Sequence, residues 1–143
     1  MAPKELSAGQ TAALIKEFLD QGPYAVVGAS TNRAKYGNKC LRVYQQHSLP
    51  VYPVNPVQEE IEGLKAYASL AELPETVRGI SIITPPQVTE RIVEEAARLG
   101  ISYLWIQPGA ESDKALERAA ELGLKTIWGG PCILVALGYD DEA

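Results

Sequence analysis

Apolar positions change period along this chain, and the changes mark out its elements. Between Ser7 and Asp20 they recur at helical spacing, with Ala12, Ile15, Phe18 and Leu19 on one stripe. Ser7-Ala8-Gly9-Gln10 has the form of a capping box, so a helix is predicted over residues 8–20, ended by Gly22-Pro23. Tyr24 to Gly28 is a continuous apolar run, the pattern of a strand buried on both faces. Gly37 to His47 is helical again, with Cys40, Leu41, Val43, Tyr44 and His47 compatible with one broad inner face. Pro50 to Val54 reads as a second strand, closed by Asn55-Pro56. Residues 57–63 are polar and loop-like, Lys65 to Tyr67 reads as a short edge strand, and Ser69 to Leu73 as one helical turn. Gly79 to Thr84 is a strand ended by Pro85-Pro86, and Gln87 to Leu99 an amphipathic helix with Val88, Ile92, Ala96 and Leu99 on one face. Ile101 to Gln107 (strand), Ser112 to Leu122 (helix) and Leu124 to Trp128 (strand) complete the pattern, followed by Gly129-Gly130-Pro131-Cys132.

Strands that alternate with helices imply right-handed crossovers and a parallel sheet. The expected fold is α/β: one Rossmann-like, doubly wound parallel sheet of five to six strands with helices on both faces. Residues 1–143 read as a single domain, with a core over 23–132 behind the 8–20 helix. The expected strand order is 3-2-1-4-5 with a final short strand. Such a sheet binds its ligand at the C-terminal strand ends, where the order reverses between strands 1 and 4. Three segments should meet there: the turn at Gly28, Asn55-Pro56, and Thr84-Pro85-Pro86.

Composition narrows the function classes. The chain has 143 residues and a formal net charge of −5, which argues against nucleic acid or an anionic membrane as the main partner. No apolar run is long enough for a membrane span, and Met1 to Asp20 holds no signal-peptide core. Cys40 and Cys132 match no zinc spacing, and His47 is the only histidine, so no metal site is expected. A reduced, cytoplasmic protein is the simplest expectation.

The candidate chemistry sits in Gly28-Ala29-Ser30-Thr31-Asn32-Arg33, followed by Lys35-Tyr36-Gly37. Strand, tight turn and helix start together present backbone N–H groups and a positive helix end to an anion. A dinucleotide fingerprint would need glycine where Ser30 and Arg33 stand. The same stretch also reads as an ordinary loop with solvated cations. Val54-Asn55-Pro56 offers an amide where NAD binders usually place an acid for the ribose, or simply a turn start. Thr84-Pro85-Pro86 is a rigid apolar ridge or a helix-start signal, with Pro86 suited to the first helical position. Cys132 is a candidate thiol, yet no acid–base partner is nameable, so no catalytic residue is assigned. His47 reads as packed or surface, Trp105 and Trp128 as core, and the pairs Glu59-Glu60, Glu94-Glu95 and Asp140-Asp141 as solvated surface.

Val26-Val27-Gly28-Ala29-Ser30, Lys35-Tyr36-Gly37, Val51-Tyr52-Pro53-Val54-Asn55-Pro56, Gly63-Leu64-Lys65-Ala66-Tyr67 and Gly130-Pro131-Cys132 occur in an order and spacing that carry a resemblance. From Tyr24 to Cys132 the chain resembles the small stand-alone CoA-binding proteins, whose domain also opens the succinyl-CoA synthetase α subunit. The resemblance implies coenzyme A or an acyl-CoA as ligand. It puts the diphosphate on Gly28, Ala29, Ser30, Thr31, Asn32 and Arg33, with Lys35, Tyr36 and Gly37 closing the loop. It puts the adenosine end at Val54, Asn55 and Pro56, and pantetheine along Thr84, Pro85 and Pro86, with Gln107 to Gly109 as an extension. Stand-alone members often carry an arginine in the Thr84 turn, and this chain does not. Ligase activity in the larger relatives needs further domains and a phosphorylated histidine, which nothing here matches, so the resemblance implies binding without catalysis. The alternatives are an NAD(P)-binding redox sensor or dehydrogenase-like domain, and a regulatory subunit of an acyl-CoA enzyme. A homo-oligomer or a partner enzyme is compatible with each.

Overall fold

The computed structural model describes residues 6–142, so residues 1–5 and 143 of the 1–143 assignment lie outside the described residues. Helix α1 (Ala8–Leu19) starts on the expected capping box. Ser7 Oγ accepts from Gln10 N (3.1 Å) and Gln10 Oε1 accepts from Ser7 N (2.9 Å). The chain then runs through β1 (Tyr24–Val27), α2 (Tyr36–Gln46) and β2 (Val51–Val54). Next come the two-residue strands β3 (Glu60–Ile61) and β4 (Leu64–Lys65), and a 3-10 turn at Leu70–Glu72. Then follow β5 (Gly79–Ile82), α3 (Pro86–Arg98), β6 (Tyr103–Ile106), α4 (Asp113–Glu121), β7 (Lys125–Ile127) and α5 (Ile133–Leu137).

Five strands form one parallel sheet in the order β2-β1-β5-β6-β7. Alternate residues of each strand enter opposite core layers. Ala25, Val27, Ile80, Ile82, Leu104 and Ile106 pack with α3 and α4. Tyr24, Val26, Tyr103, Trp105 and Ile127 pack with Phe18 of α1, with α2 and with Ile133 of α5. Helices therefore cover both faces, and the sheet is doubly wound as expected. Phe18 stacks on Tyr24 (5.3 Å between centroids) and Tyr24 on Tyr44 (5.0 Å). The buried Tyr44 hydroxyl is satisfied by Ser81 Oγ at 2.6 Å.

The expected third strand, Lys65 to Tyr67, is corrected. Lys65 pairs antiparallel with Glu60, inside residues read as loop, and Tyr67 meets Val54 only through an isolated parallel bridge. Pro53 supplies the physical reason. Its carbonyl points to the outer edge of β2 and accepts from Tyr67 N (3.0 Å), but proline has no N–H to return, so the ladder stops. Glu62 and Gly63 (φ +49° and +78°) form the two-residue turn that folds β3 onto β4. His47 is exposed at the end of α2 instead of lying on its inner face. Trp105 is buried, while Trp128 is half-buried just beyond β7. Helix α5 was not expected. Its five residues follow Pro131-Cys132 in a stretch too short to show a period.

Candidate functional site

The seam between β1 and α2 is built on two glycines that cannot carry a side chain. Gly28 sits at φ +95°, and a Cβ there would lie 2.1 Å from the Ile83 carbonyl oxygen and 3.2 Å from Thr84 Cγ2. A Cβ on Gly37 would lie 2.0 Å from the Gly28 carbonyl oxygen. The first turn of α2 is thus pressed directly onto the end of β1, with Thr84 alongside. The expected convergence of the Gly28 and Thr84 turns is present. Asn55 completes it, since its Nδ2 donates to the Ala29 carbonyl at 2.8 Å.

Within the turn, local hydrogen bonds fix the chain while the tip stays exposed. Ser30 Oγ accepts from Asn32 N (3.0 Å), Asn32 Oδ1 from Ala34 N (3.0 Å), and the Asn32 carbonyl from Lys35 N (3.0 Å). The Ser30 and Asn32 side chains are therefore engaged in shaping the loop. Asn55 is likewise a bracket: its Oδ1 accepts from Val57 N (2.8 Å) and Gln58 N (2.9 Å). Thr31, Asn32, Arg33, Lys35 and Tyr36 are exposed, and Ala29 and Gly37 are buried beneath them.

Three residues that sequence reasoning missed hold this loop from behind. Asn38 is fully buried and donates through Nδ2 to the Ser30 carbonyl (2.9 Å) and to Glu62 Oε2 (3.0 Å). Arg42, 5% exposed, donates through Nε to Asn38 Oδ1 (2.7 Å) and through a terminal nitrogen to the Arg33 carbonyl (3.2 Å). Glu62 accepts from the Arg33 guanidinium at 3.1 Å. The hydrogen bond from Asn38, and then Arg33, hold the Glu62 carboxyl below its usual range. Asn38 and Arg42 lie four residues apart on α2, a spacing that puts both on one face. That pairing was the available signal. Glu62 had none, because the hairpin was not recognised.

The helix starts at this edge of the sheet differ in a useful way. Ser7 caps α1 and Ser112 caps α4. The first N–H of α5 is taken by Gln107 Oε1 (2.9 Å). Helices α2 and α3 have no side-chain cap, their N-cap residues being Lys35 and Pro85. Pro86 opens α3, as expected. Both uncapped helices begin where the strand order turns between β1 and β5. An uncapped N-terminus leaves donors and a partial positive charge directed outward.

Gln107 opens the segment expected to extend the pantetheine region. It is 3% exposed, and its Nε2 donates to Cys132 Sγ at 3.3 Å, tying β6 to the start of α5. Cys132 is half-buried and free, and Cys40 is buried and free, its thiol pushed up by burial. The acidic pairs are more engaged than expected. Glu94 pairs with Arg118, Glu95 accepts from Leu70 N (3.0 Å), and Asp141 lies 3.6 Å from Arg42. An open groove of about 800 Å³ runs past Asn55 and Pro56, lined also by Gln58, Lys65, Tyr67 and Glu72. No helix among the described residues is long and apolar enough to cross a membrane.

A doubly wound parallel sheet with a glycine seam at its reversal point defines a Rossmann-like α/β domain. More specifically, the chain belongs to the CoA binding domain family, whose sequence model matches residues 23–138. It is 34% identical over 91 residues to the acetate–CoA ligase (ADP-forming) II subunit alpha of Pyrococcus furiosus, covering 62% of this chain and 20% of that one. It is 38% identical over 74 residues to acetate–CoA ligase (ADP-forming) I of Archaeoglobus fulgidus, covering 52% of this chain and 11% of that one. The chain thus corresponds to a small part of these ligases. Among solved structures, a conserved hypothetical protein of Pyrococcus furiosus has 43% identity and a TM-score of 0.75, covering 79% of this chain and 97% of that one. The dinucleotide-forming acetyl-coenzyme A synthetase 1 of Ca. Korarchaeum cryptofilum, in complex with phosphate and ADP, has 25% identity and a TM-score of 0.68. There the match covers 80% of this chain and 27% of that one.

Proposed function

We propose that this protein binds coenzyme A or an acyl-CoA at the C-terminal edge of its sheet and does no chemistry on it alone. The observation that carries the reading is the pair of uncapped helix N-termini, α2 and α3, beside the glycine seam. In this reading the diphosphate lies on Gly28 to Arg33 and the α2 start, with Arg33 and Lys35 adding charge-assisted contacts. The adenosine end enters the groove past Asn55 and Pro56, beyond the end of β2 at Val54, where Tyr67 offers a ring and Lys65 a cation 5.3 Å from its centre. Pantetheine runs along Thr84, Pro85 and Pro86, over a surface that proline stiffens. The ligase relatives support an acyl-CoA context, with a partner enzyme or further subunit supplying catalysis. Two free thiols suit a reduced, cytoplasmic setting.

Calorimetric titration with coenzyme A, dephospho-CoA and NAD⁺ at one salt concentration tests this. Coenzyme A is expected to bind most tightly, and dephospho-CoA about tenfold more weakly, a difference of about 1.4 kcal/mol. NAD⁺ binding more tightly than coenzyme A would favour the redox-sensor alternative and overturn the reading. Arg33→Ala is expected to weaken coenzyme A by about tenfold and to flatten the salt dependence. An unchanged affinity and salt slope removes Arg33 from the site.

A further inference from the structure

The β3–β4 hairpin places a carboxylate on the cation that the turn would offer to a phosphate. Arg33 is exposed, with 60% of its side-chain surface open, while the Glu62 side chain is only 20% exposed. Glu62 is gripped from two elements. Arg33 and Asn38 donate to its carboxylate at 3.1 and 3.0 Å, and Gln45 Nε2 donates to its carbonyl at 3.1 Å. Its backbone is left-handed, φ +49°, at the first position of a two-residue turn where asparagine or glycine would sit with less strain. A long acidic side chain is therefore held at a strained backbone position, with its charge directed at the ligand turn.

Resting on the coenzyme A reading, we propose that Glu62 is an internal counter-anion of the site: it occupies Arg33 until a phosphate displaces it, and so sets both affinity and charge selectivity. A diphosphate arriving beside a carboxylate that stays on Arg33 would meet like-charge repulsion. When the phosphate takes the guanidinium, Glu62 Oε1 gives up Arg33 while Oε2 keeps its hydrogen bond from Asn38. A ligand without phosphate has no charge with which to compete for Arg33. Glu62 thus lowers the affinity of the site for anionic ligands and leaves ligands without phosphate unaffected, so it narrows the preference of the turn for strong anions.

The test titrates the wild type, Glu62→Gln and Glu62→Asn with inorganic pyrophosphate, coenzyme A and pantetheine. Asparagine suits the left-handed position, so a folding defect in the glutamine variant would not hide the result. Both variants are expected to bind pyrophosphate and coenzyme A about tenfold more tightly, with pantetheine unchanged. Wild type and variants binding coenzyme A equally, or the variants binding more weakly, overturns the counter-anion role and leaves the site reading intact. Failure of all three proteins to bind either anion overturns the site reading and this role together.

Discussion

Gly28→Ala is expected to lower the melting temperature by about 10 °C and to abolish ligand binding. Two costs add at this position. The backbone is at φ +95°, where any L side chain is strained, and the new Cβ would meet the Ile83 carbonyl oxygen at 2.1 Å. That oxygen belongs to the chain leaving β5, so nothing flexible can yield. Left-handed strain and overpacking of this kind together cost about 3 kcal/mol or more, and a domain of this size loses a few degrees per kcal/mol. Gly37→Ala attacks the same seam from the helix side, where its Cβ would lie 2.0 Å from the Gly28 carbonyl oxygen. Its φ is ordinary, so α2 can withdraw to make room, and withdrawal moves the helix start from the turn. A smaller loss of stability with an equally large loss of binding is the expected signature. Gly9→Ala is the control: it lies in α1 with nothing within 4 Å, and is expected to gain about 0.5 kcal/mol. Thermal melts and coenzyme A titrations of the three variants check the pattern. Gly28→Ala melting within 2 °C of the wild type, a change of under about 1 kcal/mol, would refute the seam.

Those glycines show what was legible in the sequence. The Gly28 turn announced itself because a buried strand stopped at a residue free to take positive φ. Gly37 was named only as part of the motif that closes the loop. Its role, letting α2 touch β1, belongs to tertiary packing and appears only when both backbones are placed. Core strands and most helices were legible because burial on both faces leaves continuous apolar runs, and Ser7, Pro86 and Ser112 mark their helix starts chemically. The third strand failed for a reason visible beforehand: Pro53 removes the outer N–H of β2, and a local pattern of β-formers at 65–67 cannot replace it. The candidate site divides in the same way. Its exposed tip, Thr31 to Arg33 with Lys35 and Tyr36, was named from residue type and from the family resemblance. Its supports Asn38 and Arg42 were read past because a polar residue in an amphipathic helix ordinarily faces water, and Glu62 because the hairpin that carries it was not recognised. Long-range hydrogen bonds, such as that between Asn38 and Glu62 across 24 positions, leave no periodic trace.

Arg42→Met is expected to destabilise the protein by about 2–3 kcal/mol and to weaken coenzyme A binding by at least tenfold, without touching the ligand. Arg42 supports the turn by two routes, one direct and one through Asn38. Its Nε fixes Asn38 Oδ1 at 2.7 Å, which orients the Asn38 amide toward the Ser30 carbonyl. A terminal nitrogen fixes the Arg33 carbonyl at 3.2 Å. Methionine fills much the same volume but leaves a fully buried amide oxygen without its donor, and that loss supplies most of the expected destabilisation. Lysine separates charge from geometry. Arg42→Lys keeps a cation near Asp141, which stands 3.6 Å away on the exposed C-terminal segment, but a single ammonium cannot reproduce the fork. Asp141→Asn removes only the exposed partner and is expected to leave stability and binding close to wild type. Amide exchange over residues 30–36 reads the mechanism directly. Protection there should fall in Arg42→Met and Arg42→Lys and persist in Asp141→Asn. Full binding by Arg42→Lys would show that charge alone suffices at this position, and the directional support described here would then be wrong.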